Sequence, residues 1–217
     1  MFSESIQAIR ASLSHSIAGD HPKSILVTSS LSGEGKSTIA MNLSVAFACT
    51  GKRVIIVDAD LRRPGYDAVF DIPSRPGLTD YLTNKAELTP LGIKEIGNLS
   101  LLVSGEQAHN PSDLIGSQGM KNLLNKLEDE YDVVVIDSPP VLGLADSVML
   151  STMVDAVLFL VAASSTSQDA IKSALQRLRI VNAPLAGTIL SSAEVSPDSY
   201  SEQYYSNTMH IYAEPAR

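Results

Sequence analysis

Three groups of residues in this chain have the types and spacing to handle a phosphoryl group. The first is the run Leu26-Val27-Thr28-Ser29-Ser30-Leu31-Ser32-Gly33-Glu34-Gly35-Lys36-Ser37-Thr38. Its end matches the phosphate-loop pattern G-x-x-x-x-G-K-[ST] at Gly35, Lys36 and Ser37, with Ser30 in place of the first glycine. Gly33 and Gly35 let successive backbone N–H groups turn inward on a phosphate, and Lys36 can reach the β- and γ-phosphates. Gly33, Glu34, Gly35, Lys36, Ser37 and Thr38 are therefore the candidate nucleotide-binding residues, and the Ser37 hydroxyl is placed to ligate Mg²⁺. The second group is Asp58 and Asp60, which close the apolar run Val54-Ile55-Ile56-Val57. The third is Asp137, which closes Val133-Val134-Val135-Ile136. Carboxylates at such strand ends suit metal and proton chemistry; the competing reading for Asp58 and Asp60 is a turn or helix cap.

Positioning these groups requires particular elements. Residues 24–30 read as a strand leading into the loop. A helix after Lys36 carries Ile39, Ala40, Leu43, Val45 and Ala46 to about Thr50, where Gly51 is a plausible stop. The apolar runs before Asp58 and Asp137 have the continuity of strands covered on both faces of a parallel sheet, whose ligands bind at the carboxyl ends of the strands. Leu99–Val103, Val154–Val161 and Leu185–Leu190 supply three more strands. Helices are expected over Leu78–Leu82, from about Ser112 to Glu130, and over Ser167–Val181, with 84–98 loop-like apart from a short helix. Residues 1–18 read as a helix with Ile6, Ile9, Leu13 and Ile17 on one stripe and Glu4, Gln7 and Arg10 on another face. The alternation predicts an α/β fold of P-loop NTPase type: a doubly wound, mostly parallel sheet flanked by helices, followed by a flexible tail.

At 217 residues and 44% hydrophobic, the chain has room for one such domain and a tail. Its net charge of −8 argues against sequence-independent nucleic-acid binding, which needs a basic face. The single cysteine, Cys49, allows no intramolecular disulfide, and its place on an apolar helix predicts buried packing. No run approaches the roughly 18 apolar residues of a membrane span, and no signal-peptide core is present. The chain is therefore expected to be soluble as given, which is compatible with its being part of a membrane protein. His15, His21, His109 and His210 show no metal-ligand spacing.

Past Ser191 the apolar runs give way to Ser, Asp, Glu and Asn, yet four of the seven tyrosines lie here: Tyr200, Tyr204, Tyr205 and Tyr212. A polar tail has no packing reason to carry them, unless the rings dock on the domain or a neighbour. Taken with the phosphate loop, Val54–Pro64, Asn110–Leu114 and Val133–Pro140, this cluster resembles the bacterial tyrosine kinases of polysaccharide-export systems over nearly the whole chain. The resemblance implies an ATP-dependent autokinase that uses Mg²⁺ and regulates exopolysaccharide or capsule synthesis. By resemblance Lys36 binds the phosphates, Ser37, Asp60 and Asp137 organise Mg²⁺, and Asp58 is the base or orienting carboxylate. The catalytic set is thus Asp58, Lys36 and Asp60. Tyr200, Tyr204, Tyr205 and Tyr212 become the phosphoacceptors, presented to a neighbouring subunit.

Glu4 and Arg10 match a family ring-assembly motif in which Gln7 stands where an arginine is usual. Ser32 replaces a frequent proline, and Tyr66 sits near a regulatory tyrosine of some members. The implied units are an oligomerisation helix over 1–18, a kinase domain over 19–192 and a tail over 193–217. The implied setting is a homo-oligomeric ring, an octamer, on the cytoplasmic face of the bacterial inner membrane. Its partners would be a membrane-spanning activator, fused or separate, and a tyrosine phosphatase, with no nucleic acid.

Two rivals remain. Partitioning or cell-division ATPases of the same branch carry K-G-G-x-G-K-[ST], but Leu31 stands where their signature lysine would be. A non-catalytic, nucleotide-gated assembly module would use the same loop for binding alone.

Overall fold

The computed structural model describes residues 4–15, 22–66, 70, 72, 76–93, 96–163 and 165–191. In chain order the elements are α1 (Glu4–His15), β1 (Ser24–Ser29), α2 (Lys36–Ala48), β2 (Val54–Asp58), α3 (Leu78–Leu82), β3 (Leu91–Gly92), β4 (Leu99–Leu102), α4 (Pro111–Ile115), α5 (Gln118–Glu130), β5 (Val133–Asp137), α6 (Asp146–Leu150), β6 (Ala156–Ala162), α7 (Gln168–Ile180) and β7 (Leu185–Ser191). The strands form one sheet in the order β3-β4-β2-β5-β1-β6-β7. All pairings are parallel except that of β3 with β4.

The continuous apolar runs are buried on both faces because successive side chains alternate across the sheet. Ile55, Val57, Val134 and Ile136 pack with Met120, Leu123, Leu127 and Leu178 on the side of α5 and α7. Val54, Ile56, Val133 and Val135 pack with Leu13, Leu43 and Phe47 on the side of α1 and α2. This two-sided core holds the loops at the carboxyl ends of β1, β2 and β5 against a rigid edge. Of the predicted stripe on α1, Ile6 and Leu13 are buried and Ile9 is half-buried, while Ile17 lies outside the described residues; Glu4 is exposed and Arg10 Nε donates to Gln7 Oε1 at 3.0 Å.

Four expectations are corrected. The stretch 84–98 contributes strand β3, whose two residues are too few to show a period. The helix expected from Ser112 to Glu130 is two helices: the chain turns at Gly116, and Ser117 caps α5 by accepting from Met120 N–H at 3.1 Å. Helix α6 was not expected, being only one turn or so long. Cys49 is exposed, because it caps the end of α2 where the helix leaves the core.

Candidate functional site

The loop between β1 and α2 is built from its glycines outward. Gly35 takes φ +95°, in the left-handed region that costs other residues energy, and α2 starts at the next residue. No side chain caps α2 and no acidic residue lies in its first turn, so its N-terminal N–H groups face the loop as an anion site. Lys36 is only 7% exposed, and its Nζ donates to the Leu31 carbonyl at 3.5 Å. Burial pulls its pKa down, against the nearby charges of Asp137, Asp60 and Glu34. Ser37 and Thr38 are exposed at the start of the helix.

Glu34 is turned away from the solvent and into the protein. Its Oε2 accepts from Leu31 N–H at 2.6 Å, and its Oε1 accepts from the Thr166 hydroxyl and from Ala162 N–H at 3.5 Å. Burial pushes this carboxyl up, but the hydrogen bonds from Leu31, Thr166, Ser29 and Ala162 outweigh it and hold it below its ordinary range. Its side chain therefore stiffens the loop. Ser191, the last residue of β7, adds a hydrogen bond from its Oγ to the Glu34 carbonyl at 3.1 Å.

Asp58 and Asp137 are in register on adjacent parallel strands, at 1% and 2% exposure. Burial, followed by the charge of Asp137, pushes Asp58 up to about 8; N–H groups of Asp60 and Gly65 oppose the rise. Burial pushes Asp137 up to about 6, against the Ser37 and Tyr66 hydroxyls and the Lys36 charge. Asp60 is half-buried, and its Oδ1 accepts from the N–H groups of Arg62 at 3.3 Å and Arg63 at 3.0 Å. It thus caps its own turn while adding charge beside Lys36.

These residues fit a Mg²⁺ ion. Asp58 Oδ2 and Asp137 Oδ1 are buried without a hydrogen-bond partner, a costly state that a cation relieves. Among the described residues no group of three or more His, Cys, Asp or Glu makes a self-sufficient metal cage. Mg²⁺ does not need one, since it is usually held by one or two carboxylates with water and phosphate oxygens.

Sequence reasoning missed three contributors. Tyr66, flagged only as regulatory, is buried under the loop; its hydroxyl donates to the Ser37 carbonyl at 3.2 Å, and its ring stacks on Phe70. Burial and the carboxylates of Asp137 and Asp58 push its hydroxyl pKa up. Asp146 receives Arg62 Nε at 2.9 Å and also the Ser112 hydroxyl, tying the loop after β2 to α4 and α6. Thr166 secures Glu34. None of the three lies in a motif, so composition and spacing held no signal for them. Tyr200, Tyr204, Tyr205 and Tyr212 fall outside the described residues.

Comparison with known proteins follows the same lines. A family model described as an AAA domain matches residues 22–189. The tyrosine-protein kinase YwqD of Bacillus subtilis is 33% identical over 198 residues, covering 91% of this chain and 84% of that protein. The succinoglycan biosynthesis transport protein ExoP of Rhizobium meliloti is 29% identical over 200 residues, but the match spans only 25% of it. Among solved structures, the chimerical protein CapA2B2 superposes with a TM-score of 0.84 at 33% identity, covering 89% of this chain and 85% of that one. The cell-division ATPase MinD of Pyrococcus furiosus shares the fold, with a TM-score of 0.65 at 22% identity over 84% of this chain and 79% of that one.

Proposed function

Because the chain belongs to the bacterial tyrosine-protein kinases, within a family of AAA domains, we propose that it transfers the γ-phosphoryl group of ATP to Tyr200, Tyr204, Tyr205 and Tyr212 in the tail of a neighbouring copy. The observation that carries this reading is the pair Asp58 and Asp137, in register, buried, each with an unpartnered oxygen, beside Lys36 and Ser37. In the transfer, the tyrosine oxygen forms a bond to the γ-phosphorus, the bond from that phosphorus to the β,γ-bridging oxygen breaks, and ADP leaves. Asp58, which would be ionised once the charge of Mg²⁺ offsets that of its neighbour Asp137, takes the tyrosine proton. A free tyrosine hydroxyl titrates near 10, and a carboxylate raised toward neutrality is a stronger base for it than an ordinary one. Lys36 neutralises phosphate charge, and the α2 N-terminus with its loop amides orients the chain of phosphates. Mg²⁺, held by Ser37, Asp60 and Asp137, would supply further neutralisation of the β- and γ-phosphates.

The wider setting belongs to the same proposal. The chain works in exopolysaccharide or capsule synthesis, as the relation to ExoP supports. It assembles as a ring through the α1 residues Glu4 and Arg10, at the cytoplasmic membrane face, beside a membrane-spanning activator and a tyrosine phosphatase. Among the described residues no helix is long and apolar enough to cross a membrane. Each phosphate adds about −1.5 to −2 charges to an acidic tail, so phosphorylation repels the tail from a carboxylate-lined site and loosens the ring.

The test is intact-mass spectrometry of phosphatase-treated chain incubated with Mg-ATP, beside Lys36→Met. Stepwise added phosphate in the wild type only, mapped to residues 200–212, supports the reading. ATP hydrolysis without added mass would replace it with an ATPase switch.

A further inference from the structure

A cleft of about 370 Å³ opens beside the phosphate loop, at the small end of the range for ligand sites. One wall is apolar: Leu31, Pro140, Leu142 and Leu144. Leu31 is 42% exposed, which packing alone does not explain at the mouth of a polar site. The wall is anchored to the phosphate loop, because Leu142 N–H donates to the Ser30 carbonyl at 3.2 Å. Asp60, Arg62 and Arg63 also line the cleft. Asp60 Oδ1 caps its own turn and Arg62 pairs with Asp146, whereas the exposed guanidinium of Arg63 makes no ion pair among the described residues.

The tail has the complementary chemistry. Residues 192–217 carry Glu194, Asp198, Glu202 and Glu214 against a single Lys or Arg, Arg217. Asp198 and Glu202 each lie two positions from Tyr200, Glu202 lies two from Tyr204, and Glu214 lies two from Tyr212. In an extended chain, residues two apart point to the same side, about 7 Å from one another. A tyrosine ring against the apolar wall would thus bring a carboxylate to the cationic rim.

We propose that this cleft is the acceptor subsite, and that Arg63 favours Tyr200, Tyr204 and Tyr212, each with a carboxylate two residues away, over Tyr205, which has none, in the tail of a second copy of the chain. The inference rests on the tyrosine-transfer reading and names what that site recognises. Leu31, Pro140 and Leu142 seat the ring, and Arg63 sets the register along the acceptor. Arg63 is a positioning residue, so its loss acts on acceptor KM and not on the chemical step.

The experiment uses full-length enzyme with its four tail tyrosines changed to Phe, and full-length Lys36→Met chain as acceptor, with phosphate at Tyr200 read by mass spectrometry. Acceptors carrying Asp198→Asn with Glu202→Gln leave the enzyme untouched; their KM is expected to rise about five-fold with kcat within two-fold. Arg63→Glu is expected to raise KM for the native acceptor about ten-fold and to regain most of it with an Asp198→Lys, Glu202→Lys acceptor. Equal KM values for the native and neutralised acceptors, or no recovery on charge exchange, would overturn the inference. If wild-type chain tails receive phosphate at a per-chain rate independent of concentration, the cleft serves the chain's own tail and not a second copy. If the enzyme phosphorylates no tail tyrosine at all, the transfer reading itself falls and takes this subsite with it.

Discussion

Replacing Arg62 with glutamine tests whether the loop that carries Asp60 is held by a buried ion pair. Arg62 Nε lies 2.9 Å from Asp146 Oδ2, and its Nη2 lies 3.4 Å from Oδ1 and 2.9 Å from Ser112 Oγ. The Asp146 side chain is 1% exposed and that of Arg62 35%. Breaking a fully buried pair costs about 3–5 kcal/mol, because a carboxylate is left without its counter-charge, while an exposed pair contributes less than about 1 kcal/mol. Here one partner is fully buried and the other reaches water, so the expected loss lies between those limits, at about 2 kcal/mol. For a chain of this size that lowers Tm by about 4–8 °C. Urea denaturation of the wild type, Arg62→Gln, Asp146→Asn and the double variant gives the coupling directly, expected at about 1 kcal/mol or more. A loss under about 0.5 kcal/mol, or strict additivity, would refute the view that this pair anchors the loop.

Three further outcomes follow from the same geometry. Asp58 titrates near 8 in the fold against an ordinary value of 3.8, so between those values the folded chain holds a proton that the unfolded chain has released. Stability of the metal-free chain should therefore fall as pH rises from about 4 to about 8, and Tm curves of Asp58→Asn should lack most of that slope; parallel curves would contradict the assignment. At Gly77 an added Cβ would meet the Val103 carbonyl oxygen at 2.3 Å and Gly105 N at 2.4 Å, both backbone atoms. Gly77→Ala should cost about 1–3 kcal/mol in urea denaturation, and a neutral result would show that this turn can open. Thr166→Val removes the hydroxyl that donates to Glu34, so calorimetry should find ADP binding weakened roughly five-fold, with Thr166→Ser close to wild type.

The strands that matter most were legible because they are buried on both faces. Val54–Val57 and Val133–Ile136 read as core strands, and each leads into a carboxylate of the candidate site. Their adjacency was not legible. The pairing of Asp58 with Asp137 joins segments far apart in the sequence, and no local pattern encodes which parallel strands become neighbours. The same limit hid Asp146, which meets Arg62 across 84 positions, and Thr166, which meets Glu34 across 132. Glu34 itself was placed in the loop correctly, but its side chain turns inward, because Leu31 N–H, Ala162 N–H and Thr166 offer it donors that only the folded chain assembles. Elements of a few residues, such as β3 and α6, lack the length for any period to show.

The fold alone does not separate a kinase from a switch, since MinD of Pyrococcus furiosus shares it at 22% identity. Both kinds of protein need a phosphate cradle, and a phosphate loop at the carboxyl edge of a parallel sheet supplies one to either. The difference must therefore lie in what meets the γ-phosphate, water or a side-chain hydroxyl. At the first variable positions of the loop this chain has a half-exposed leucine, Leu31, where a partitioning ATPase has its signature lysine. The carbonyl of Leu31 accepts from Ser29 Oγ at 2.7 Å and from Lys36 Nζ at 3.5 Å, and its N–H donates to Glu34 Oε2 at 2.6 Å, so the backbone here is held within the loop. Its side chain instead extends the apolar surface of Pro140 and Leu142. In the proposed acceptor subsite, such an apolar surface beside the phosphate loop would disfavour ordered water and favour an aromatic ring. On the proposed reading, the residue at the mouth of the loop, Leu31, and not the fold, is what suits the site to a side-chain hydroxyl in place of water.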